Sequence, residues 1–255
     1  MRRDIDDALQ GWPSDPEPGE VMARELRARD GRPILQVRIE LGLLQLEVEA
    51  RPDGSQPHGY PTYLDYLRDR VASRRRRSGE DDAWRMNTDH CTEVDREFFQ
   101  YYHRRVAWLS LKRYDRAVRD ADHTLALMDF VARHGPDSEY VAHHEKYRGL
   151  VLFHRTQAAA LCALDRRRPD EAIDEVRSGV QGLTQHRRGW LTEHEEEEVP
   201  NEALIEQLQR LENDIRKNFA VEKTLQEQLD EAVAHEDYER AASLRDMIRS
   251  KERTG

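Results

Sequence analysis

The longest regular pattern in the sequence is helical and extends from about residue 92 to residue 188. Apolar and aromatic side chains recur there at intervals of three and four, as they do along one face of an α-helix. Interruptions follow Leu111, fall at Gly135-Pro136 and precede Pro169. Glycine and proline are typical of helix ends and helix starts, respectively. The pattern predicts four helices in two hairpins, with one continuous third helix from Asp137 to Leu164.

A strand pattern precedes the helices. Residues 34–41 alternate between apolar and polar side chains, and residues 44–49 resume the alternation after Gly42. An earlier strand is expected near residues 21–28, followed by a turn at Asp30-Gly31. These segments predict a three-stranded antiparallel sheet with one apolar face. A helix that begins near Thr62 is expected to cover that face, because half-apolar sheets pack against helices.

The predicted fold class is therefore α+β and mostly α. Residues 1–80 are expected to form a small α+β domain, residues 81–194 a helical region and residues 195–255 an arm. Two stretches of the helical region resemble the helix turn of tetratricopeptide repeats around Ala117 and Ala172. These alanines are 55 positions apart, whereas that family repeats at about 34 residues. The resemblance therefore implies elongated helix pairs and not a regular array.

The arm has the apolar spacing of a coiled coil. Its regularly spaced apolar positions are Leu204, Leu208, Leu211, Ile215, Leu225 and Leu229, and the two positions between Ile215 and Leu225 hold the polar residues Asn218 and Glu222. Alternating intervals of four and three residues are typical of a coiled-coil contact line. The alternative is an amphipathic helix that folds back on the helices of its own chain. The spacing favours the coiled coil, although both structures need the same apolar face.

The last part of the arm predicts a small αα-hairpin. Leu229, Ala232 and Val233 form one apolar stripe, and a second stripe begins at Tyr238. Asp237 lies between the stripes and is a good N-cap for the second helix. Such a hairpin buries little apolar surface. It is therefore expected to need a partner: another protein, a second copy or its own chain.

The same stretch resembles the UVR motif, through Leu225, Leu229 and Ala232 and through the run from Glu236 to Ile248. That motif occurs in the bacterial repair subunits UvrB and UvrC, in Clp-type chaperone ATPases and in activators of protein-arginine kinases. In those families it is a helical hairpin that docks on another such hairpin. The resemblance implies a protein partner, either another UVR protein or a second copy. The implied partner-binding residues are Leu225, Leu229, Tyr238, Ala241, Ala242, Leu244, Arg245, Asp246 and Ile248.

Charge is unevenly distributed along the chain. The net charge is −10, and residues 195–255 contribute −8 of it. An acidic arm repels phosphate, so nonspecific DNA binding through the arm is not expected. The dense basic cluster consists of Arg74, Arg75, Arg76 and Arg77. It is a candidate contact for nucleic acid or an acidic partner; a solvated loop neutralised by nearby acids is the favoured alternative.

No catalytic motif is found in the sequence. Seven histidines lie between His90 and His154, and Asp120 with His123 is one pair with ligand spacing. However, a di-metal bundle needs paired Glu-x-x-His motifs, and HExxH is absent as well. Helix packing is therefore the favoured role for these histidines. The loop around His58 is the most site-like part of the N-terminal third. No metal, cofactor or enzymatic activity is expected.

The cysteines and the N-terminus suggest a cytoplasmic protein. Cys91 and Cys162 have no CxxC spacing, which excludes a zinc ribbon and suits a reducing compartment. The N-terminal residues include acids where a signal peptide needs an apolar region. No apolar run reaches the roughly 18 residues that span a bilayer.

Three functions remain open from the sequence. The first is a non-catalytic adaptor for protein–protein interaction that docks through the C-terminal hairpin. The second is a DNA-repair-associated factor that binds nucleic acid through Arg74 to Arg77. The third is an enzyme or metal protein built on the loop around His58. The sequence favours the adaptor, because the repair chemistry of the UVR families requires helicase or nuclease features that this chain lacks.

Overall fold

The computed structural model describes residues 9, 12, 21–39, 42–78, 84–193, 201–221 and 225–254. The strands are β1 (Ala23–Arg27), β2 (Pro33–Ile39) and β3 (Gly42–Glu47), followed by a 3₁₀ turn at Pro57–Gly59. The helices are α1 (Tyr63–Ser78), α2 (Thr88–Ser110), α3 (Tyr114–His134), α4 (Ser138–Glu145), α5 (Arg148–Asp165), α6 (Pro169–Glu193), α7 (Asn201–Phe219), α8 (Leu225–Ala234) and α9 (Tyr238–Thr254). The predicted fold class, mostly α with a small antiparallel sheet, is confirmed.

The sheet is a meander in the order β1-β2-β3, with both pairings antiparallel. Leu35, Val37 and Leu46 are buried against Ala107 and Trp108 of α2. The prediction that the helix after Thr62 covers the sheet is therefore wrong. That helix, α1, buries its apolar residues in a separate cluster with α2 and α3. The sheet thus shares its core with α2, α3 and α5 and not with α1.

The alternation of the second strand is only partly observed. Leu35 and Val37 are buried as predicted, but Ile34 and Gln36 are buried too, and Ile39 is exposed. The Gln36 side chain is hydrogen-bonded to Arg24 and Gln45 on the neighbouring strands. Leu41, at the end of the predicted pattern, lies outside the described residues.

The predicted third helix is two helices. α4 ends at Glu145 and α5 begins at Arg148. At the junction the Tyr147 N–H donates to the carbonyl oxygen of His144 at 3.0 Å, a bond that spans three residues instead of four. The His144 ring is buried and packs edge-on against Phe98. No glycine or proline marks this break, so the sequence did not reveal it.

The arm folds back on the chain. Leu208 and Ile215 of α7 are buried in a cluster with Ile173 and Val176 of α6 and with Phe153 of α5. α7 ends at Phe219, so the predicted contact line does not continue as one helix to Leu225. The continuous coiled coil is therefore wrong, and the fold-back alternative is observed. Both structures bury the same apolar stripe, which is why its spacing did not distinguish them.

The helix pairs are joined by one recurrent turn. After α2, the Arg113 N–H donates to the Trp108 carbonyl at 2.8 Å; after α5, the Arg168 N–H donates to the Ala163 carbonyl at 2.9 Å. Lys112 and Arg167, the residues just before these donors, have φ of +57° and +60°. This is the Schellman arrangement, in which a left-handed residue ends the helix.

A close approach of α6 to α5 at Gly179 gives the first prediction. A Cβ at Gly179 would clash with the Thr156 side chain, whereas a Cβ at Gly182 would meet nothing within 4 Å. We expect Gly179→Ala to lower the free energy of unfolding by about 1–3 kcal/mol through overpacking. Gly182→Ala, the matched control, should raise it by about 0.5–1 kcal/mol through helix propensity. Urea denaturation of both variants checks this, and equal effects would contradict the close packing.

Candidate functional site

The C-terminal hairpin, residues 225–254, is built on the same turn. The Asp237 N–H donates to the Ala232 carbonyl at 2.8 Å, and the Glu236 N–H donates to the Val233 carbonyl at 3.1 Å. Glu236 has φ of +57°. The Asp237 carboxylate accepts from the Arg240 N–H at 3.1 Å. Asp237 therefore caps α9, as the sequence predicted.

The interior of the hairpin is very small. Ala232, Ala241 and Leu244 are buried, and Leu229 packs against them partly buried. The alanines let the two helices approach closely. Such a small apolar cluster gives little stabilisation. Three of the predicted partner-binding residues, Leu229, Ala241 and Leu244, thus hold the hairpin together.

Several apolar side chains of the hairpin face solvent. The exposed fraction is 68% for Tyr238, 52% for Val233 and 45% for Met247. Tyr238, Ala242 and Arg245 follow at intervals of four and three, so they lie along one side of α9. Arg245 and Asp246 are exposed, and Ala242 is half-buried. The side chains of Leu225 and Ile248 lie outside the described residues.

The hairpin of α2 and α3 has residues that correspond to Val233 and Tyr238, and these residues are covered. In the shared turn, Leu109 and Tyr114 occupy the places of Val233 and Tyr238. Both pack against the core that includes the sheet and Trp108. In the second hairpin, Leu164 occupies the place of Val233 and packs against the core of α5, α6 and α7. The C-terminal hairpin therefore exposes two positions that the first hairpin covers, one of which, that of Val233, the second hairpin covers as well.

An ion-pair cluster attaches the hairpin to the preceding helices. The Glu227 carboxylate of α8 accepts from Arg177 of α6 and, at 3.1 Å, from Arg216 of α7. Glu212 of α7 accepts from the same two arginines, at 3.0 Å each. The start of α8 is thus tied to the helical region by alternating charges. The tip of the hairpin has no such tie among the contacts between described residues.

The two helices of the hairpin carry opposite charge. α8 contains three acids and no base, a net charge of −3. α9 contains five bases and three acids, a net charge of +2.

These features define a helical hairpin with a two-alanine contact and an exposed tyrosine. Residues 223–254 match the UvrB/uvrC motif. The UVR hairpin predicted from the sequence is therefore confirmed for this segment, which is about an eighth of the chain. Neither curated proteins nor solved structures gave a match to the chain.

Sequence inspection missed one signal in the UVR hairpin. An alanine follows the left-handed residue by five positions in all three turns: Ala117 after Lys112, Ala172 after Arg167 and Ala241 after Glu236. All three alanines are buried. The spacing of these alanines relates the UVR hairpin to the two earlier hairpins, and this relation identifies Val233 and Tyr238 as positions that are exposed in the UVR hairpin.

The arginine cluster lies on a helix. Arg74 to Arg77 form the last turns of α1, which ends at Ser78. The expectation of a solvated loop is therefore wrong. Arg76 donates to the Ser73 hydroxyl at 2.8 Å and lies 3.8 Å from Asp69. Glu80, Asp81 and Asp82, the acids expected to neutralise the cluster, lie outside the described residues.

The two candidate metal ligands, Asp120 and His123, make hydrogen bonds and ring contacts to other side chains. Asp120 accepts two hydrogen bonds from Arg104, at 2.7 and 2.9 Å. His123 lies 3.0 Å from the buried Glu97 carboxylate and stacks on Tyr101 at 3.8 Å. Glu97 also accepts from two backbone N–H groups at the start of α1. These residues join the sheet and helices, and among the described residues no group of three or more potential ligands is placed to hold a metal ion.

The loop around His58 is a packed turn. His58 has φ of +52° and its ring stacks on Tyr66 at 4.0 Å. Arg51, at the start of the loop, is buried and donates to Glu93 at 2.8 Å. The geometry attaches the loop to α1 and α2. Within the described part of the chain, no helix is both long enough and apolar enough to cross a bilayer.

Proposed function

We propose that this chain is a non-catalytic adaptor that docks through its UVR hairpin on a second hairpin of the same kind. The observation that supports this most strongly is the exposure of Val233 and Tyr238. Their counterparts in the first hairpin, Leu109 and Tyr114, are partly buried and pack against a core cluster. An exposed aromatic beside an apolar side chain is a frequent anchor of protein interfaces.

The energetics of the hairpin favour a docked state. Its interior consists of two alanines and two leucines, which is too little to stabilise about thirty ordered residues. A second hairpin can cover the exposed Val233 and Tyr238 and so remove their apolar surface from water. The partner therefore contributes stability as well as recognition.

Charge favours a partner with the same distribution. The acids of α8 and the net charge of +2 on α9 are complementary in a two-fold pair. Glu227 is already paired with Arg177 and Arg216 of its own chain, so it contributes less to this attraction, and the exposed Arg245 lies on the basic helix. A second copy of this chain meets that requirement without any other protein. Rim charges mainly set specificity and association rate, whereas buried apolar anchors set affinity. The proposed pair is therefore a homodimer anchored by Tyr238 and Val233.

The second prediction tests the anchors directly. We expect the Val233→Ser, Tyr238→Ser double variant to weaken self-association of the full chain by at least about 100-fold, because two interface anchors typically contribute more than about 2.7 kcal/mol together. Sedimentation equilibrium gives the dissociation constant. Neither side chain belongs to the hairpin interior, so helix content by circular dichroism should stay nearly unchanged.

The matched control removes an exposed apolar side chain elsewhere. Phe99 on α2 is 56% exposed, and Phe99→Ser should leave the dissociation constant within about twofold of the wild-type value. A wild-type chain that stays monomeric at high concentration would refute self-pairing. Equal weakening by Phe99→Ser and by the double variant would place the interface on another surface.

A further inference from the structure

The arginine-rich end of α1 borders two clefts. One, of about 290 Å³, lies between α1 and α3. The other, of about 400 Å³, is lined by Arg70, Arg74, Arg77 and Trp84. The cleft between α1 and α3, called here the arginine cleft, combines an apolar floor with a cationic rim. Neither the UVR motif nor the docking proposal assigns it a role.

The floor of the arginine cleft is formed by both helices. Val71 and Ala72 come from α1, and Ala126 and Phe130 come from α3. Phe130 is largely buried, and Val71 and Ala126 pack with it at the edge of a core cluster. The His134 ring lies 4.5 Å from the Phe130 ring and extends the aromatic wall. This surface suits a flat, apolar molecular body.

The rim is cationic. Arg68 and Arg75 come from α1 and Arg133 from α3. In the described part of the chain, Arg68 and Arg133 make no ion pair or hydrogen bond to another side chain. The single acid that lines the cleft, Asp129, is 2.9 Å from Arg148 and is thus paired outside the rim. Among the described residues that line the cleft, Arg68 and Arg133 therefore keep positive charge that no lining acid pairs with, in a chain of net charge −10.

Helix stabilisation explains only part of this charge. Arg133 lies in the last turn of α3, where a cation interacts favourably with the helix dipole. Arg75 lies in the last turns of α1 and has the same explanation. Arg68 lies in the middle of α1, where the dipole gives no such benefit. Arg68 nevertheless lines the same cleft as Arg133, which comes from a different helix.

We propose that the arginine cleft binds a small organic phosphate. Its phosphate group accepts hydrogen bonds from Arg68 and Arg133, and its flat apolar body lies on Phe130 and Val71. Guanidinium groups match phosphate oxygens in geometry and keep their charge at all physiological pH values. The volume of about 290 Å³ suits a ligand the size of a nucleoside monophosphate and lies near the lower limit of small-molecule sites.

The third prediction uses adenosine monophosphate as the probe. Isothermal titration calorimetry of the full chain should show binding of adenosine monophosphate. Adenosine and inorganic phosphate should each bind at least about tenfold more weakly, because each makes only one of the two contacts. Arg68→Gln with Arg133→Gln should weaken binding of adenosine monophosphate by at least about tenfold. Both arginines are exposed, so the fold should survive this change.

A charge-matched control separates local contacts from net charge. Arg119→Gln with Arg210→Gln removes two exposed arginines elsewhere and should leave adenosine monophosphate binding unchanged. Ala72→Glu provides a second test, because it places an anion on the floor and should abolish binding.

No binding to the wild-type chain, or equal loss in the control, would overturn the proposal. Equal affinity for inorganic phosphate would overturn it as well. Binding of duplex DNA but not of adenosine monophosphate would replace it with a nucleic-acid surface.

Discussion

Asp120→Ala should lower the free energy of unfolding by about 3–5 kcal/mol, the usual cost of removing one partner from a buried ion pair. Asp120 and Arg104 are both buried. The Arg104 guanidinium donates to both oxygens of Asp120 and to the carbonyl oxygens of Glu47, the last residue of β3, and of Ala50 in the turn that follows. Loss of the carboxylate leaves a buried guanidinium without its counterion. Urea denaturation measures the change.

Two further variants distinguish this explanation from a general loss of contacts. Asp122→Ala, two residues along α3, removes an acid that pairs with Arg155 at the surface, and should cost no more than about 1 kcal/mol. Arg104→Met added to Asp120→Ala should recover part of the loss, because it removes the unpaired charge. If the two substitutions together lower the free energy of unfolding by the sum of their separate effects, Asp120 and Arg104 are not energetically coupled.

Acid should destabilise the chain through His154. Burial, together with the nearby Arg105 charge, lowers the pKa of His154 to about 4, against about 6.5 in an unfolded chain. Below about pH 6.5 the unfolded chain therefore binds a proton that the folded chain does not. Stability should be unaffected above about pH 7 and fall by about 3 kcal/mol as the pH approaches 4. Burial also lowers the pKa of His90, His103 and His186, in the same direction.

His154→Asn isolates the contribution of this one histidine. His154 Nδ1 accepts a hydrogen bond from Arg105 Nε–H at 3.4 Å, and an asparagine oxygen can accept the same bond without titrating. Chemical denaturation at about pH 7.5 and pH 4 should show a drop in stability that is about 3 kcal/mol smaller in the variant than in the wild type. Equal drops would mean that His154 is protonated in the folded chain.

The sequence predicted those parts of the fold that depend on local periodicity. The strand around Val37 and the helices around Ala117 and Ala172 were found because their apolar spacing reflects burial. The sequence did not predict which element each apolar face packs against. Trp108 of α2 covers the sheet in place of α1, and Leu208 of α7 packs on its own chain instead of a coiled-coil partner. In both cases the predicted apolar residues are buried, but the spacing of apolar residues does not specify which other element buries them.

The candidate site was predictable to a similar extent. The cap at Asp237 and the close alanine contact follow from residue types at short range. The division of the predicted residues between interior and surface does not, because it depends on how α8 and α9 rotate against each other: Leu244 is buried, whereas Tyr238 is exposed. Val233 is an apolar residue on the same helix as Leu229, and only the structure separates the two: Val233 is exposed, whereas Leu229 packs against the hairpin interior.

The most direct test of the docking hairpin is amide hydrogen exchange measured at increasing concentrations of the full wild-type chain. A hairpin with so small an interior should open readily when it is alone and close when its exposed face is covered. We predict that protection rises with concentration in residues 225–254 and that the Val233→Ser, Tyr238→Ser variant lacks this rise. Protection that is independent of concentration, or that rises elsewhere in the chain while residues 225–254 stay unchanged, would contradict the docking role of the UVR hairpin.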